Sequence, residues 1–133
     1  MCQILYQITW DNEELHPVTT IGEVEELLDL LQERFRKGRP TLVTVERFEN
    51  GDCLIIGLGL ELSVLNYVRG DKNPPYYTSS GDPGAVGAIS FRFGGELSEF
   101  WLSQAVPVSI ARAAMTHFCE TGELSKEMVW EMD

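Results

Sequence analysis

Two side chains with reactive chemistry lie close together near the C-terminus, in the stretch THFCETGELSKEMVWEMD. His117 and Cys119 are two positions apart, and an imidazole beside a thiol can bind a metal ion or form a nucleophile and its base. The surrounding residues predict a helix, however, in which each residue is rotated by about 100° from the last. The two side chains then point about 200° apart. We therefore predict neither a shared metal site nor a catalytic pair.

The other motifs that could support catalysis or cofactor binding are incomplete. His16 is the only other histidine, and it lies before Pro17 in a polar segment. The stretch GLGLEL contains Gly57 and Gly59, but Leu62 occupies the position of the third glycine in a dinucleotide-binding motif. We interpret these glycines as a bulge or break within a strand. The sequence predicts no catalytic residue, no metal site and no cofactor. The absence of motifs does not by itself exclude an enzyme, but nothing in the sequence supports one.

Composition restricts the class of protein and its partners. The chain has 133 residues, of which 44% are hydrophobic, so we predict a single domain over residues 1–133 with one substantial core. Ten basic and 21 acidic residues give a net charge of −11. A chain this acidic should repel nucleic acid and anionic membranes and should favour a basic partner.

The cysteines and the N-terminus indicate where the protein acts. Cys2, Cys53 and Cys119 are widely spaced and form no CxxC motif, so we predict neither a disulfide framework nor a thiolate metal site. The N-terminal stretch MCQILYQITW lacks the basic residues of a signal peptide, and no apolar run is long enough to span a membrane. We predict a cytoplasmic localisation.

The segment NYVRGDKNPPYYTSSGDPGAVG has the composition of a binding loop, with two adjacent tyrosines among prolines, serines and glycines. Long loops that carry aromatic residues are commonly functional. Tyrosine supplies rigid contact area at a low entropic cost, which favours a binding role for Tyr76. For Tyr77 a binding role and an inward-packed position at the start of the next element are equally consistent with the sequence.

Two helices are predicted to support these segments. In TTIGEVEELLDLLQERFRKGRP, apolar residues recur at helical spacing, Thr20 and Glu23 fit a capping box, and Gly38 marks the end. In PVSIARAAMTHFCETG, Pro107 suits the first turn and Gly122 the C-terminal cap.

The remaining apolar runs predict strands. They are MCQILYQITW, TLVTVERF, DCLIIGLGLELSVLNYV, VGAISFRF and SEFWLS, and Asn50-Gly51 is a preferred centre of a tight hairpin turn. Runs of strands bracketed by helices are typical of an α+β domain. We predict a largely antiparallel sheet of about five to six strands, with two main helices packed on one face.

Three segments, YYTSSGD, ISFRFGGELSEF and VPVSIARAAMTHFCETGELSKEMVWE, resemble the C-terminal half of a bacterial immunity-protein family of polymorphic toxin systems. The resemblance covers about 60 residues, and its matching positions are Tyr76, Tyr77, Pro107, Ala111, Ala114, Phe118, Gly122 and Trp130. The chain departs from the family at two positions where many relatives have proline. After Gly122 it has ELSK, and after the segment SEF it has Trp101. Both departures affect the surface. Several members of that family neutralise nucleic-acid deaminase or nuclease toxins.

The resemblance implies a non-enzymatic inhibitor that binds a cognate toxin with a basic surface and blocks its active site or substrate surface. Such a protein takes part in bacterial competition and binds no nucleic acid directly. We predict that the loop from Asp71 to Asp82, with Glu96, Glu99 and Trp101, forms the contact surface. The candidate residues are Asp71, Tyr76, Tyr77, Ser79, Ser80, Asp82, Glu96, Glu99, Trp101 and Trp130. Trp130 either docks the tail onto the sheet, which we favour, or contacts the partner.

Two alternatives stay open at the level of sequence. The first is a small metabolite-binding domain or enzyme with a pocket between the sheet and the helices. The second is a nucleic-acid mimic that binds many basic proteins with similar affinity. The sequence does not determine the oligomeric state, because an edge strand can pair in a dimer without leaving a sequence signature.

Overall fold

The computed structural model describes residues 5–11 and 15–132. The helices are α1 (Ile21–Lys37) and α2 (Val108–Thr121), with a single 3-10 turn at Leu102–Gln104. The strands are β1 (Tyr6–Trp10), β2 (His16–Val18), β3 (Thr41–Arg47), β4 (Cys53–Leu58), β5 (Leu62–Ser63), β6 (Leu65–Val68), β7 (Tyr77–Ser80), β8 (Ala88–Phe93), β9 (Glu96–Trp101), β10 (Val106–Pro107) and β11 (Val129–Met132). The α+β class is confirmed.

The main sheet has the strand order β11-β7-β6-β4-β3-β1-β2, and all of these neighbours are antiparallel. The β8–β9 hairpin joins this sheet through one short parallel pairing, between Thr41 of β3 and Arg92 of β8. Strands β5 and β10 form a separate antiparallel pair. The hairpin is thus a side branch of the sheet.

Helix α1 follows its sequence signals. The Thr20 hydroxyl accepts a hydrogen bond from the Glu23 backbone N–H at 3.1 Å, as in an N-cap. The Gly38 N–H donates to the Arg34 carbonyl at 3.0 Å and ends the helix. The buried side chains recur on one face and are Val24, Leu28, Leu31 and Phe35. That face packs against the sheet.

Helix α2 begins directly after Pro107 and ends at Gly122, whose φ of 78° is left-handed. Its last carbonyls are held by side chains of the sheet. Arg47 of β3 donates from Nη1 to the Phe118 and Cys119 carbonyls at 3.0 and 2.9 Å. The Tyr6 hydroxyl of β1 donates to the Cys119 carbonyl at 2.7 Å. These bonds satisfy carbonyl groups that a helix terminus leaves unpaired.

Two apolar clusters cover opposite faces of the sheet. The main core contains the buried faces of α1 and α2 together with alternate residues of the central strands, such as Val43, Val45 and Leu54. The smaller cluster lies on the other face and consists of Leu42, Val64, Ile89, Phe91 and Ala105. Both helices therefore lie on one face, as predicted, and the β8–β9 hairpin covers part of the other.

Gly57 allows the hairpin to lie close to the sheet. A Cβ atom at this position would fall 2.5 Å from the ring of Phe91, which is closer than two carbon atoms can approach. The sequence predicted a bulge or break at Gly57 and Gly59. Gly57 instead lies within β4, while Gly59, with φ of 113°, follows the end of the strand.

The predicted strand count of five to six is too low, since the described residues form eleven strands, nine of them in the main sheet. The extra strands are mostly two to four residues long, which is too short to produce a clear alternating pattern. The predicted Asn50-Gly51 hairpin is present, but its loop runs from residue 48 to 52 and is longer than a tight turn. Cys2 and the start of the first predicted strand lie outside the described residues.

Candidate partner-binding surface

The outer face of the β8–β9 hairpin carries two highly exposed large apolar side chains together with a carboxylate. Its turn, Gly94-Gly95, has φ values of 60° and 86°, as a tight two-residue hairpin requires. Alternation along β9 places Leu97, Glu99 and Trp101 on the same face. We call these three residues the outer row.

The inner face of the hairpin explains why the outer row is exposed. Ile89 and Phe91 are buried in the smaller core, and Phe100 packs against it. Their neighbours on the opposite side of the pleat therefore face solvent, and Leu97 and Trp101 remain 72% and 71% exposed. Large apolar side chains that are exposed together often mark an interaction site.

A neighbouring loop extends this apolar surface. Val86 is almost fully exposed just before β8. The Leu102 N–H, one residue after Trp101, donates to the Gly87 carbonyl at 2.9 Å. This bond holds the loop beside the end of β9. Val86 was not among the residues selected from the sequence, since a single apolar residue in a loop gives no pattern.

Acidic groups accompany the apolar ones. Glu96 and Glu99 are exposed, and neither forms an ion pair with any residue that the structure describes. The nearest basic group along the hairpin, Arg92, pairs with Asp11 at 3.4 Å. The carboxylates of β9 are thus available to a basic partner.

Two shallow grooves flank the outer row. One, of about 310 Å³, is lined by Ala88, Glu99, Phe100, Trp101 and Gln104. The other, of about 290 Å³, is lined by Arg39, Pro40, Ser90, Arg92, Gly95, Glu96 and Leu97. The face around Glu99 is therefore concave on both sides, and each groove has room for a side chain of a partner.

Asp82 lies close to this hairpin. The Gly81 N–H donates to the Ser103 carbonyl at 2.7 Å, which ties the end of β7 to the turn after Trp101. Asp82 itself is exposed, and its Oδ1 accepts a hydrogen bond from the Gly84 N–H at 2.9 Å. The structure therefore brings Asp82 and Trp101 to one region of the surface.

Asp71 and Tyr76 form a different region, at the other end of β7. The Asp71 carboxylate pairs with Arg69 at 2.8 Å and accepts from the Asn73 N–H at 2.9 Å. The Tyr76 hydroxyl donates to the Lys72 carbonyl and closes the turn. The segment from Asp71 to Asp82 is therefore not one continuous loop, because β7 divides it.

The residues of β7 serve mainly internal contacts. Tyr77 begins the strand and lies half-buried, with its ring centre 6.3 Å from that of Tyr67. Ser79 has 0% of its surface exposed, and its hydroxyl accepts from the Leu65 N–H and donates to the Gln104 carbonyl. Ser80 is half-buried and pairs with Val129. A partner cannot reach Ser79 without opening the fold, so we leave it out of the proposed contact surface.

Trp130 lies in β11, which adds to the edge of the sheet beside β7. Its ring packs against the main core, and its Nε1 donates to the Ser125 carbonyl at 2.9 Å. The predicted docking of the tail is thus what the structure shows. The sequence had indicated a tail, and the strand itself was missed because four residues, VWEM, give little alternation.

A second concave surface lies beside α2. A groove of about 700 Å³ separates the exposed side of the helix from the segment after Gly122. It is lined by Ser109, Ile110, Ala113, Ala114, Thr116, His117, Glu120, Glu123, Ser125, Lys126, Glu127 and Met128. This groove does not lie between the sheet and the helices, where the metabolite-binding alternative places its pocket.

The side chains of His117 and Cys119 point in different directions, as the helix geometry predicts. His117 lines the groove, whereas Cys119 is buried in the main core. Burial raises the pKa of the Cys119 thiol to about 12. Burial also raises the pKa of the Cys53 thiol. Both groups are protonated at neutral pH, and a protonated thiol is a poor nucleophile and a poor metal ligand.

No cluster of three or more histidine, cysteine or carboxylate side chains within residues 5–11 and 15–132 is arranged to hold a metal ion. No helix in the same ranges is both long and apolar enough to cross a membrane.

Fold and surface together define a small α+β protein whose exposed hairpin presents carboxylates beside large apolar side chains. The model of the family described as immunity protein Imm1 matches residues 12–132. The chain therefore belongs to the Imm1 family of immunity proteins, which confirms the resemblance seen in the sequence. This membership supports an immunity function.

The chain is similar to a solved structure described as "Crystal structure of a hypothetical protein from Neisseria gonorrhoeae", with 13% sequence identity and a TM-score of 0.48. The match covers 95% of this chain and 92% of that chain. None of the curated proteins matches this chain.

Proposed function

We propose that this protein binds a cognate antibacterial toxin and neutralises it by covering its active site or substrate surface. The toxin is a nucleic-acid-targeting deaminase or nuclease with a basic surface, and neutralisation takes place in the cytoplasm. The observation that carries the proposal is the outer face of the β8–β9 hairpin, where exposed Leu97 and Trp101 flank Glu99, which forms no ion pair with the described residues.

Electrostatics support this kind of partner. An enzyme that acts on nucleic acid needs a cleft that attracts phosphate groups. A chain with a net charge of −11 is attracted to such a cleft over several ångströms and is oriented before contact. Opposite charges mainly raise the rate of association, while desolvated apolar contacts hold the complex together.

The side chains on the hairpin fit both roles. Tryptophan is among the residues that most often dominate binding energy at protein interfaces. Trp101 is exposed, yet its backbone is fixed because its N–H donates to Oε1 of Gln104 at 3.0 Å. With its backbone held, tryptophan loses only the freedom of two side-chain torsions on binding, which is a low entropic cost for so large a contact area.

Co-expression with the product of the adjacent upstream gene tests the proposal. We expect that product to stop growth when expressed alone, that the present chain restores growth, and that the two proteins purify as a stable complex. A catalytically inactivated form of the toxin, expressed with and without this chain, controls for effects of expression. Absence of both toxicity and complex formation would contradict the proposal.

A panel of basic proteins separates a dedicated inhibitor from a general nucleic-acid mimic. A dedicated inhibitor should bind the cognate toxin far more tightly than unrelated basic proteins such as histones. Similar affinity for all of them would favour the mimic. Bound small molecules released on denaturation of the purified chain would instead favour the metabolite-binding alternative.

A further inference from the structure

We propose that β9 is an open docking edge to which an extended segment of the toxin adds as a further strand. This inference rests on the proposed function and specifies its mode of recognition. Within the part of the chain that the structure describes, β9 pairs only with β8, so its other side is an edge. The direction of its backbone groups, the chemistry of its side chains and the charge of the molecule all bear on this inference.

The hairpin geometry fixes which backbone groups of β9 face the open edge. In antiparallel pairing, residues alternate between hydrogen-bonded and non-hydrogen-bonded pairs. The two-residue turn makes Phe93 and Glu96 a hydrogen-bonded pair, so the next pair, Arg92 with Leu97, is not hydrogen-bonded. An independent contact agrees, since the Arg92 N–H donates away from β9 to the Pro40 carbonyl at 2.8 Å.

It follows that the backbone groups of Leu97, Glu99 and Trp101 point away from β8. At Trp101 the outward N–H is already bonded to the Gln104 side chain. Leu97 and Glu99 therefore present the N–H and C=O groups to which another strand can bond. Gln104 limits the open edge to the stretch between the turn and Trp101.

The side chains of the same residues specify the sequence of the added strand. Residues directly opposite each other on adjacent strands have neighbouring side chains. Along one strand, every second residue lies on the same face of the sheet. A partner strand would therefore place apolar residues beside Leu97 and Trp101 and a lysine or arginine beside Glu99. The recognised pattern is apolar, any residue, basic, any residue, apolar.

A second copy of this chain is a poorer occupant of the edge. Pairing of two β9 strands would bring into contact two chains that each carry a net charge of −11, and β9 (Glu96–Trp101) contains no lysine or arginine that could neutralise the Glu99 carboxylate of the other copy. Repulsion between two strongly acidic chains opposes this association. A basic segment of the toxin removes this repulsion.

Hydrogen exchange on the free and toxin-bound protein tests the proposal directly. In the free protein we expect the amides of Leu97 and Glu99 to exchange quickly and those of Ser98 and Phe100 to exchange slowly. Addition of the purified toxin domain should slow exchange at Leu97 and Glu99 by about tenfold or more, as a new hydrogen bond predicts. An interface made only of side chains would not produce this alternation and would overturn the proposal.

A proline substitution gives a second test. Leu97→Pro removes the outward N–H while it leaves the bonds to β8 in place, because proline is tolerated where a strand faces solvent. Leu97→Ala removes the same side chain but keeps the N–H. We expect L97P to bind the toxin domain about tenfold more weakly than L97A, with similar unfolding midpoints.

The outcomes of these experiments distinguish failure of the proposed function from failure of the proposed docking edge on β9. If the wild-type chain binds no toxin, the proposed function fails. If the wild type binds and L97P equals L97A, with no change in exchange at Leu97 and Glu99, the docking edge is wrong while the function stands. Slow exchange at these two amides in the free protein at high concentration would assign the edge to a second copy instead.

Discussion

At the scale of single residues, Arg47 shows how the protein connects its layers. Its side chain is only 16% exposed and reaches from β3 to the last carbonyls of α2. A cation at a helix C-terminus also interacts favourably with the helix dipole. Its Nε is buried without a hydrogen-bond partner among the described residues, which offsets part of this stabilisation.

We expect Arg47→Met to lower the free energy of unfolding by about 2 kcal/mol, because two helix carbonyls lose their charged donor. Urea unfolding followed by circular dichroism would measure the change. Arg36→Met is the matched control, since Arg36 pairs only with exposed Glu33 on the surface of α1. Equal effects of the two substitutions would show that Arg47 does not cap the helix.

Cys119 offers a second test at this scale, through its reactivity. With a pKa of about 12, the thiolate fraction at pH 8 is only about one in ten thousand. We expect a Cys2→Ser variant to react slowly with a thiol reagent when native and rapidly in urea, where Cys53 and Cys119 are both free. Rapid labelling of both thiols in the native protein would contradict the buried positions.

The raised pKa of the Cys119 thiol also predicts how the stability of the protein changes at alkaline pH. The folded thiol of Cys119 keeps its proton up to about pH 12, whereas the unfolded thiol releases it near the ordinary value of 9.0. The unfolded state is therefore favoured as pH rises between these values, and stability should fall there. A Cys119→Ala variant should lose less stability over this interval, as unfolding at a series of pH values would show.

At the scale of elements, the two tryptophans on β9 and β11 have opposite roles. Trp130 packs on the main core and bonds to Ser125, whereas Trp101 is exposed on the hairpin. We expect Trp130→Ala to cost about 2 kcal/mol of stability, since its ring is half-buried. Trp101→Ala should change stability by less than about 0.5 kcal/mol.

Toxin binding should show the reverse order. Trp101→Ala removes the proposed anchor and should weaken binding by at least about 2 kcal/mol, while Trp130→Ala should affect it mainly through stability. Calorimetric titration with the purified toxin domain, below the unfolding temperature of both variants, would measure this. Unchanged affinity of the Trp101→Ala variant would place the interface elsewhere, for example on the groove beside α2.

Two glycines allow a test of the hairpin's packing. Gly57→Ala would push a methyl group into the Phe91 ring and should destabilise the protein by about 2 kcal/mol. Gly22→Ala adds a methyl group on α1 with only Thr20 Oγ1 nearby, at 3.8 Å, and should stabilise by about 0.5 kcal/mol. Thermal unfolding of both variants would reveal the opposite signs.

At the scale of the whole molecule, the proposed function predicts that net charge controls the rate at which the protein associates with its toxin. Salt screens exposed charges, so the effect of the net charge of −11 on the association rate must weaken as ionic strength rises. We expect the association rate with the toxin domain to fall about tenfold from low to high salt, with a smaller change in the dissociation rate. Stopped-flow mixing would measure both rates, and an unchanged association rate would exclude electrostatic steering.

Charge reversal at single positions locates the effect on the molecule. Asp82→Lys, close to Trp101, should weaken toxin binding without unfolding the protein. Asp71→Lys lies at the other end of β7, where Asp71 pairs with Arg69. An equal effect of both substitutions on affinity would indicate that total charge matters more than the hairpin.

Much of the fold follows from local sequence signals. The caps at Thr20 and Gly122 and the helical spacing of apolar residues define both helices, because these signals act over a few residues. The short strands β5, β10 and β11 could not be predicted in this way. Their pairing depends on distant segments, as when Trp130 pairs with Ser79.

The candidate surface was predictable only in part. Glu96, Glu99 and Trp101 were selected from the sequence, and they do lie on one exposed strand. Leu97 was missed, although alternation places it beside Glu99, because an apolar residue in a strand is usually assigned to the core. Ser79 was selected as a polar loop residue, and only the tertiary fold reveals that its hydroxyl links Leu65 to Gln104 inside the protein.

The division of the interior into two apolar clusters has a consequence for how this protein can evolve. The β8–β9 hairpin meets the sheet at one paired position and packs on its own small cluster, while α1 and α2 stabilise the opposite face. Outward residues of the hairpin contribute to neither cluster. On the proposed interface, we therefore expect single mutations at these positions to change partner specificity with little loss of stability, so that recognition can diversify on the same scaffold.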